Sequence, residues 1–367
     1  MSTLKTTNLQ HASAASPAIV LASDGTATAQ LSSLNGGPLA GARNRIINGD
    51  MRIDQRNAGA SVTPTSDSYT LDRWALNLSQ ASKIAVQQNA GSVTPPAGFS
   101  NYLGFTIVSA ATIAAGDYFI LRHNIEGFNT SDFAWGTANA TPVTLSFWVR
   151  SSLTGTFGGS IRNNGDTRSY PFTYSVSASN TWELKSLTIT GDTTGTWASG
   201  NTVGASVNFS LGMGSTFSGA GGAWSGANYA SATGSTNVVT TLNATFYITG
   251  VQLEPGSVAT PFERRSYGQE LSLCQRYTRK ITNATVSTFS TTTAVYSNNS
   301  WPMRALPTST LITNGQLTGN NSNNNVTGIS GPTGDEDGFY FDINSTGLTA
   351  TASYNLRGTL IILSAEL

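Results

Sequence analysis

The chain has 367 residues, with 19 basic and 19 acidic side chains that together make only 10% of it, against about 25% in an ordinary soluble domain. Zero net charge argues against a nucleic-acid binder, since phosphate binding needs a basic excess. One cysteine excludes an internal disulfide framework. Seven Trp, fifteen Phe and twelve Tyr carry too much apolar surface for a disordered polymer.

The length predicts two or three domains. No basic-then-apolar leader opens the chain and no apolar run of about 18 residues occurs, so neither a secretory signal nor membrane insertion is expected. Residues 1–42 are small and polar. Within them, Ala18–Leu21 and Thr26–Leu31 flank Asp24-Gly25, a hairpin signal. An isolated hairpin is barely stable in water, so this arm needs a partner to order it.

From 43 to 264, short strands alternate with turns rich in Gly, Ser, Thr and Asn. Tyr118–Leu121, Val143–Val149, Trp182–Ile189 and Ala205–Leu211 are the clearest, and Leu145, Phe147 and Val149 share one face. Such spacing without helices predicts an all-β sandwich or barrel. Phe246, Ile248, Val251 and Leu253 form a last strand, stopped by Glu254-Pro255-Gly256. The period then changes. Tyr267, Leu271, Cys274 and Tyr277 fall three or four apart on one face of a short connecting helix spanning 265–279, with Ser266 and Gln269 as a capping box. A helix of about three turns is marginal alone. Its apolar face requires either the preceding domain or copies of itself in an oligomer. Residues 280–367 return to strand patterning in a smaller β-domain. Leu356–Leu363 reads as one strand buried on both faces, and Asn314–Gly338 as a long polar loop.

Three blocks carry a family resemblance. The first runs from Gly41 to Asp50 and continues through Asp54-Gln55-Arg56 and Leu71-Asp72-Arg73-Trp74. The second is Ile125-Glu126-Gly127 with Leu145–Arg150. The third is Val251–Gly256 followed by Thr260–Tyr277. Together they resemble the carbohydrate-binding-module-like jelly roll of phage tail-fibre and virion structural proteins. Met303–Pro307 and Ser364-Ala365-Glu366-Leu367 resemble the domain that follows it there, and Leu4–His11 through Ser23-Asp24-Gly25 the opening of structural proteins from phages of cyanobacteria. The resemblance implies a homotrimeric virion protein on the particle exterior, assembled in the host cytoplasm. Residues 1–42 would attach it to other tail or capsid proteins, and host-surface polysaccharide would be its outward partner.

Chemistry is sparse. His11 and His123 lie far apart in sequence, no His/Cys cluster has zinc spacing, and no Gly-x-Ser-x-Gly elbow occurs. No catalytic residue is expected. Asp67, Asp72, Asp117, Glu126 and Asp132 are the carboxylates from which a depolymerase pair would have to be drawn. Trp224 and Tyr229, in a glycine-rich loop, are the candidate sugar-contacting rings; the structural alternative is that Trp224 plugs the end of the sandwich. No cofactor is required. The one metal candidate is calcium at Asp335 and Asp337, against which stands an ordinary solvated loop tip. The expected function is therefore a non-enzymatic fibre or spike subunit for glycan attachment. A purely architectural tail, neck or capsid-decorating protein and a polysaccharide depolymerase are the alternatives.

Overall fold

In the computed structural model the described residues are 8–9, 19–21, 23, 27–29, 42–288, 290–298, 302–319, 322–335 and 338–367. They are almost entirely β. Near the start, Asn8–Leu9, Ile19–Leu21 and Ala27–Ala29 form a three-stranded sheet, with Ile19 opposite Ala29 and Leu21 opposite Ala27. The expected hairpin is present; its Asp24-Gly25 turn lies outside the described residues. Val20 and Leu21 are 43% and 42% exposed there.

The main body is a sandwich. One sheet has six strands, in the spatial order Ser169–Val176, Gly155–Arg162, Val203–Met213, Tyr118–Glu126, Trp74–Leu78 and Ser68–Leu71. The other has five, in the order Glu183–Ile189, Val143–Ser151, Thr245–Pro255, Leu103–Ile107 and Ile84–Gln88. Alternation sends Leu145, Phe147 and Val149 of one sheet and Val207, Phe209 and Leu211 of the other into a common core, all fully buried. Phe147 meets Phe209 edge-on at 4.9 Å, and Phe157 stacks on Phe246 at 6.1 Å.

The strand Thr245–Pro255 explains an irregular spacing in the sequence. Ile248 and Val251 are three apart, yet both are buried. Gly250, at φ 61°, sits in a bulge where the register shifts between Thr249 and Gln252, restoring the inward face. Beside it, a Cβ on Gly49 would lie 2.2 Å from the Val251 carbonyl oxygen, so only glycine lets the opening segment cross the exit strand.

The connecting helix spans Tyr267–Gln275, and Ser266 accepts from the Gln269 amide as the capping box requires. Cys274 and Tyr277 are buried against Ile47 and Ile53, with Leu271 packed beside them. At these positions the first of the two predicted partners, the preceding domain, supplies the cover. Of the four residues assigned to an oligomer face, only Tyr267 stands open, at 59% exposure.

The last unit has its own core around Phe341, Tyr354, Leu356 and Ile361. It combines a three-stranded and a seven-stranded sheet. Two expectations are corrected here. Asn314–Gly338 is not a loop: it holds strands Gln316–Gly319, Ser322–Asn325 and Gly328–Gly334. Leu317 and Val326 turn inward, and backbone pairing with Ser353–Arg357 does not depend on the polar side chains around them. Leu356–Leu363 is not one strand either. Gly358, at φ 67°, divides it into Ser353–Arg357 and Leu360–Ser364. Ile361, Ile362 and Leu363 of the second are buried on both faces, as expected.

A buried polar hub joins the units, and the motif blocks build it. Leu71 and Trp74 pair across a two-residue turn that holds Arg73 at φ 69°. The Arg73 guanidinium lies 3.6 Å over the Tyr277 ring, pairs with Glu366 and donates to the Asn124 carbonyl. Burial works against its charge, but Glu366 together with Tyr277 and Tyr69 outweighs that and holds its pKa above the ordinary value. Arg56 reaches Glu366 at 3.0 Å, and Thr278 donates to the same carboxylate at 2.9 Å. Glu126 accepts from Arg276 at 2.7 Å and from the Tyr277 hydroxyl at 2.6 Å. Burial opposes the Glu126 charge too, yet these bonds keep its pKa below the usual range. Asn124 and Tyr69 donate to Leu367.

Removing one charge of a buried pair leaves the other uncompensated, at a cost of about 3–5 kcal/mol. Glu366→Gln should therefore lower the unfolding free energy from urea titration by an amount in that range, and with it the midpoint, whereas an apolar replacement of both partners, Arg73→Met with Glu366→Leu, should recover most of it. A Glu366→Gln midpoint equal to wild type would contradict the hub's role.

Asp72 belongs to the same hub. Burial, against hydrogen bonds from Gln55, raises its pKa to about 7. An unfolded Asp titrates near about 4, so the folded form binds the extra proton. Its contribution is complete below about pH 4, declines by up to roughly 1.4 kcal/mol per pH unit, and is gone above about 7. Urea titrations between those limits should show this fall in stability in wild type and a flatter profile in Asp72→Asn.

Candidate functional site

The outer face of the six-stranded sheet carries a candidate site. Because Phe119, Leu121 and Ile125 point into the core, Tyr118, Ile120 and Arg122 point outward. By the same alternation Arg162 and Asn208 face outward on the neighbouring strands. The segment after Met213 folds back across this face, burying Ala230 against Ile120 and Met213. What it leaves uncovered is a groove of about 290 Å³, lined by Asp67, Asn77, Tyr118, Arg122, Arg162, Asp166, Phe217 and Asn228.

The groove is wired from below. Arg162 is buried and lies 3.1 Å from Asp166 and 2.5 Å from the Asn228 amide oxygen. Arg122 donates to Asn208 at 3.0 Å and lies 3.9 Å from Asp166. Asp67 accepts from the Leu78 amide at 2.7 Å and from Asn77 at 2.8 Å. Burial, only partly offset by Arg122, raises the Asp166 pKa. At the groove wall, Arg162 Nε and Asn77 Oδ1 are buried without a hydrogen-bond partner. Tyr118 and Phe217 meet edge-on at 5.7 Å and form its aromatic rim. Planar amides, guanidinium groups and carboxylates beside aromatic rings form a surface for a polyhydroxylated ligand.

A second groove, of about 260 Å³, crosses the outer face of the five-stranded sheet beside Phe99, Trp148 and Phe262. Two of its three rings are already occupied: Arg264 lies over Phe99 at 4.7 Å and over Phe262 at 5.7 Å.

The expected site residues fall elsewhere. Trp224 is half-buried in a ring cluster, 5.3 Å from both Trp135 and Trp197 and 5.2 Å from Tyr170. Its indole N–H donates to the Thr190 carbonyl at 2.7 Å. That is the sandwich-end plug weighed as its alternative. The Tyr229 ring covers Gly219, where a Cβ would come within 2.3 Å of it. His123 is fully buried, and its Nε2 lies 3.0 Å from the Ile47 carbonyl oxygen. Burial first, and Arg73 next, push its pKa well below the ordinary value, so it is a neutral core residue.

Of the five carboxylates considered for catalysis, Asp67 alone lines the groove. Asp72 and Glu126 belong to the hub, Asp132 pairs with Arg45, and Asp117 accepts from Ser79, Gln80 and the Ala114 amide. Asp335 accepts from the Gly338 amide at 2.9 Å in a hairpin turn; Asp337 lies outside the described residues. Among the described residues, no group of three or more His, Cys, Asp or Glu side chains is placed to hold a metal, and no helix is long and apolar enough to cross a membrane.

Sequence reading missed Arg122, Arg162, Asp166 and Asn228. The available signal was two arginines at outward positions of strands, in a chain that uses charge so rarely. The fold-back of the segment that supplies Asn228 leaves no local signature.

No protein-family model and no curated protein matches the chain. Among solved structures, it is similar to the enzymatically active domain of tailspike protein 4 of bacteriophage CBA120, at 13% identity and TM-score 0.33, over 58% of this chain and 21% of that one. The match therefore spans about a fifth of the tailspike chain. It is also similar to a putative sugar binding protein from Bacteroides thetaiotaomicron, at 10% identity and TM-score 0.31, over 58% and 99% of the two chains. A third match is a family 11 carbohydrate-binding module from Clostridium thermocellum in complex with a mixed-linked tetrasaccharide, at 10% identity and TM-score 0.27, over 54% and 97%. TM-scores this low carry no inference about ligand or activity.

The ring cluster makes Trp224 a packing residue. Trp224→Ala should cost on the order of 3 kcal/mol, the low end for loss of a buried aromatic, and leave groove binding within about twofold once the protein is folded. A variant with unchanged melting temperature and weakened glycan binding would reverse the assignment.

Proposed function

We propose that this chain is a non-enzymatic subunit of a phage fibre or spike that holds host-surface glycan in the groove on the outer face of its six-stranded sheet. The observation that carries the reading is the groove itself: Tyr118 and Phe217 at its rim, with Arg122, Arg162, Asn77 and Asn228 beneath. Sugar rings present apolar faces to aromatics and hydroxyls to amides and charged groups, so both halves of the surface are used.

The particle end of the chain is residues 1–42, as the motif resemblance implies. Val20 and Leu21, exposed on a small sheet, favour docking to another surface. We place the subunit on the virion exterior as a homotrimer assembled in the host cytoplasm. One shallow site gives about millimolar affinity, and three copies raise it through avidity.

Binding rather than hydrolysis is favoured because Asp166 is held in ion pairs with Arg162 and Arg122, so among the described residues no second free carboxylate faces Asp67 across the groove. Calcium has no part in this reading.

The test is binding of the full chain to an array of bacterial surface oligosaccharides. Wild type should bind, while Tyr118→Ala and Arg122→Ala should each weaken binding by about tenfold, a loss of roughly 1.4 kcal/mol, with melting temperatures near wild type. Release of reducing ends would make the chain a depolymerase, and absence of any glycan binding would favour the architectural alternative. Light scattering that gives the mass of a single copy would contradict the trimer.

A further inference from the structure

We infer that the groove selects uncharged, polyhydroxylated glycans and turns away acidic ones. The inference rests on the groove being the glycan site, and it concerns which class of sugar that site takes.

The charges that face the groove cancel. Arg162 and Arg122 supply two positive groups, and Asp166 lies 3.1 Å from one and 3.9 Å from the other. Asp67, in the bend before the edge strand Ser68–Leu71, supplies the second carboxylate. An entering carboxylate or phosphate would compete with Asp166 for both guanidinium groups and would face Asp67 as a like charge. At short range in a partly desolvated site, such repulsion is worth more than in water.

A hydroxyl meets the opposite situation. It donates to a carboxylate and accepts from a guanidinium, and vicinal hydroxyls do both at once. Each Asp67 oxygen accepts one protein hydrogen bond, whereas an ionised carboxylate has about four acceptor positions. Capacity for sugar hydroxyls therefore remains. Asp166 itself is 30% exposed and Arg122 23%, so both are reached from the groove.

The Asp166 turn permits a clean variant. Asp166 has φ 56°, a conformation that Asn tolerates as well as Asp. The turn is held independently by Asn163, whose side-chain oxygen accepts from the Thr167 and Arg168 amides at 2.9 and 2.8 Å. Asp166→Asn thus removes one negative charge and leaves the loop in place.

The experiment uses the full chain, with array glycans sorted into neutral and uronate- or phosphate-bearing sets, at roughly 50 and 500 mM NaCl. Neutral glycans should dominate the bound set, with affinities that change by less than about twofold across that salt range. Asp166→Asn should admit acidic glycans, raising their binding by about tenfold at low salt and losing that gain at high salt. Binding of acidic glycans by wild type, salt-sensitive and abolished in Arg122→Ala, would overturn the selectivity while leaving the groove as the site. Glycan binding that Tyr118→Ala and Arg122→Ala leave untouched would remove the groove as the site, and the selectivity with it.

Discussion

The structure depends on one buried ion pair, Arg73 with Glu366. Neither charge reaches water: their side chains are 1% and 5% exposed. A pair this deep is costly to assemble, because desolvation of the ions offsets most of their attraction. Its value lies in specificity. Arg73 is fixed by a tight turn of the sandwich, Glu366 follows the last strand of the second unit, and Tyr277 beneath the guanidinium lies just after the connecting helix. Three elements distant in sequence reach one point, and only one relative placement satisfies them all.

That point explains why the recognisable motifs are spread along the chain. The opening block supplies Asn44, Asn48 and Asp72, the central block Glu126, the exit block Glu270, Arg276 and Tyr277, and the final block Glu366. They bind one another, not a ligand. A chain with so few charged residues spends many of them inside: Asp192, Glu270 and Glu126 sit in ion pairs with side chains 2–4% exposed. Much of the surface is left to hydroxyls and amides, and the groove gathers two arginines and two aspartates over one sheet.

The β-architecture was legible in the sequence because alternation in strands such as Val143–Ser151 sorts side chains directly into core and surface. The capping box at Ser266 was legible because it is local. The strands of 316–334 were not, since they are held by backbone pairing that Asn-rich side chains conceal. Trp224 drew attention as a ring among glycines, a correct reading of composition that could not show Trp135 and Trp197 arriving from elsewhere to cover it. The groove stayed hidden for the same reason. Arg122 and Arg162 come from separate strands, Asp67 from the bend before a third, and Asn228 from a segment whose path over the sheet is settled only by tertiary packing.

The claim that the outer face of the six-stranded sheet is the glycan site is tested most directly by the footprint of a bound sugar. Hydrogen–deuterium exchange on the full chain, with and without a saturating oligosaccharide found on the array, reads that footprint. Protection should concentrate in Ser68–Leu78, Tyr118–Glu126, the segment 160–168 and the segment 214–230. Protection confined to the Trp148 and Phe262 face, or to the unit after residue 280, would contradict the account.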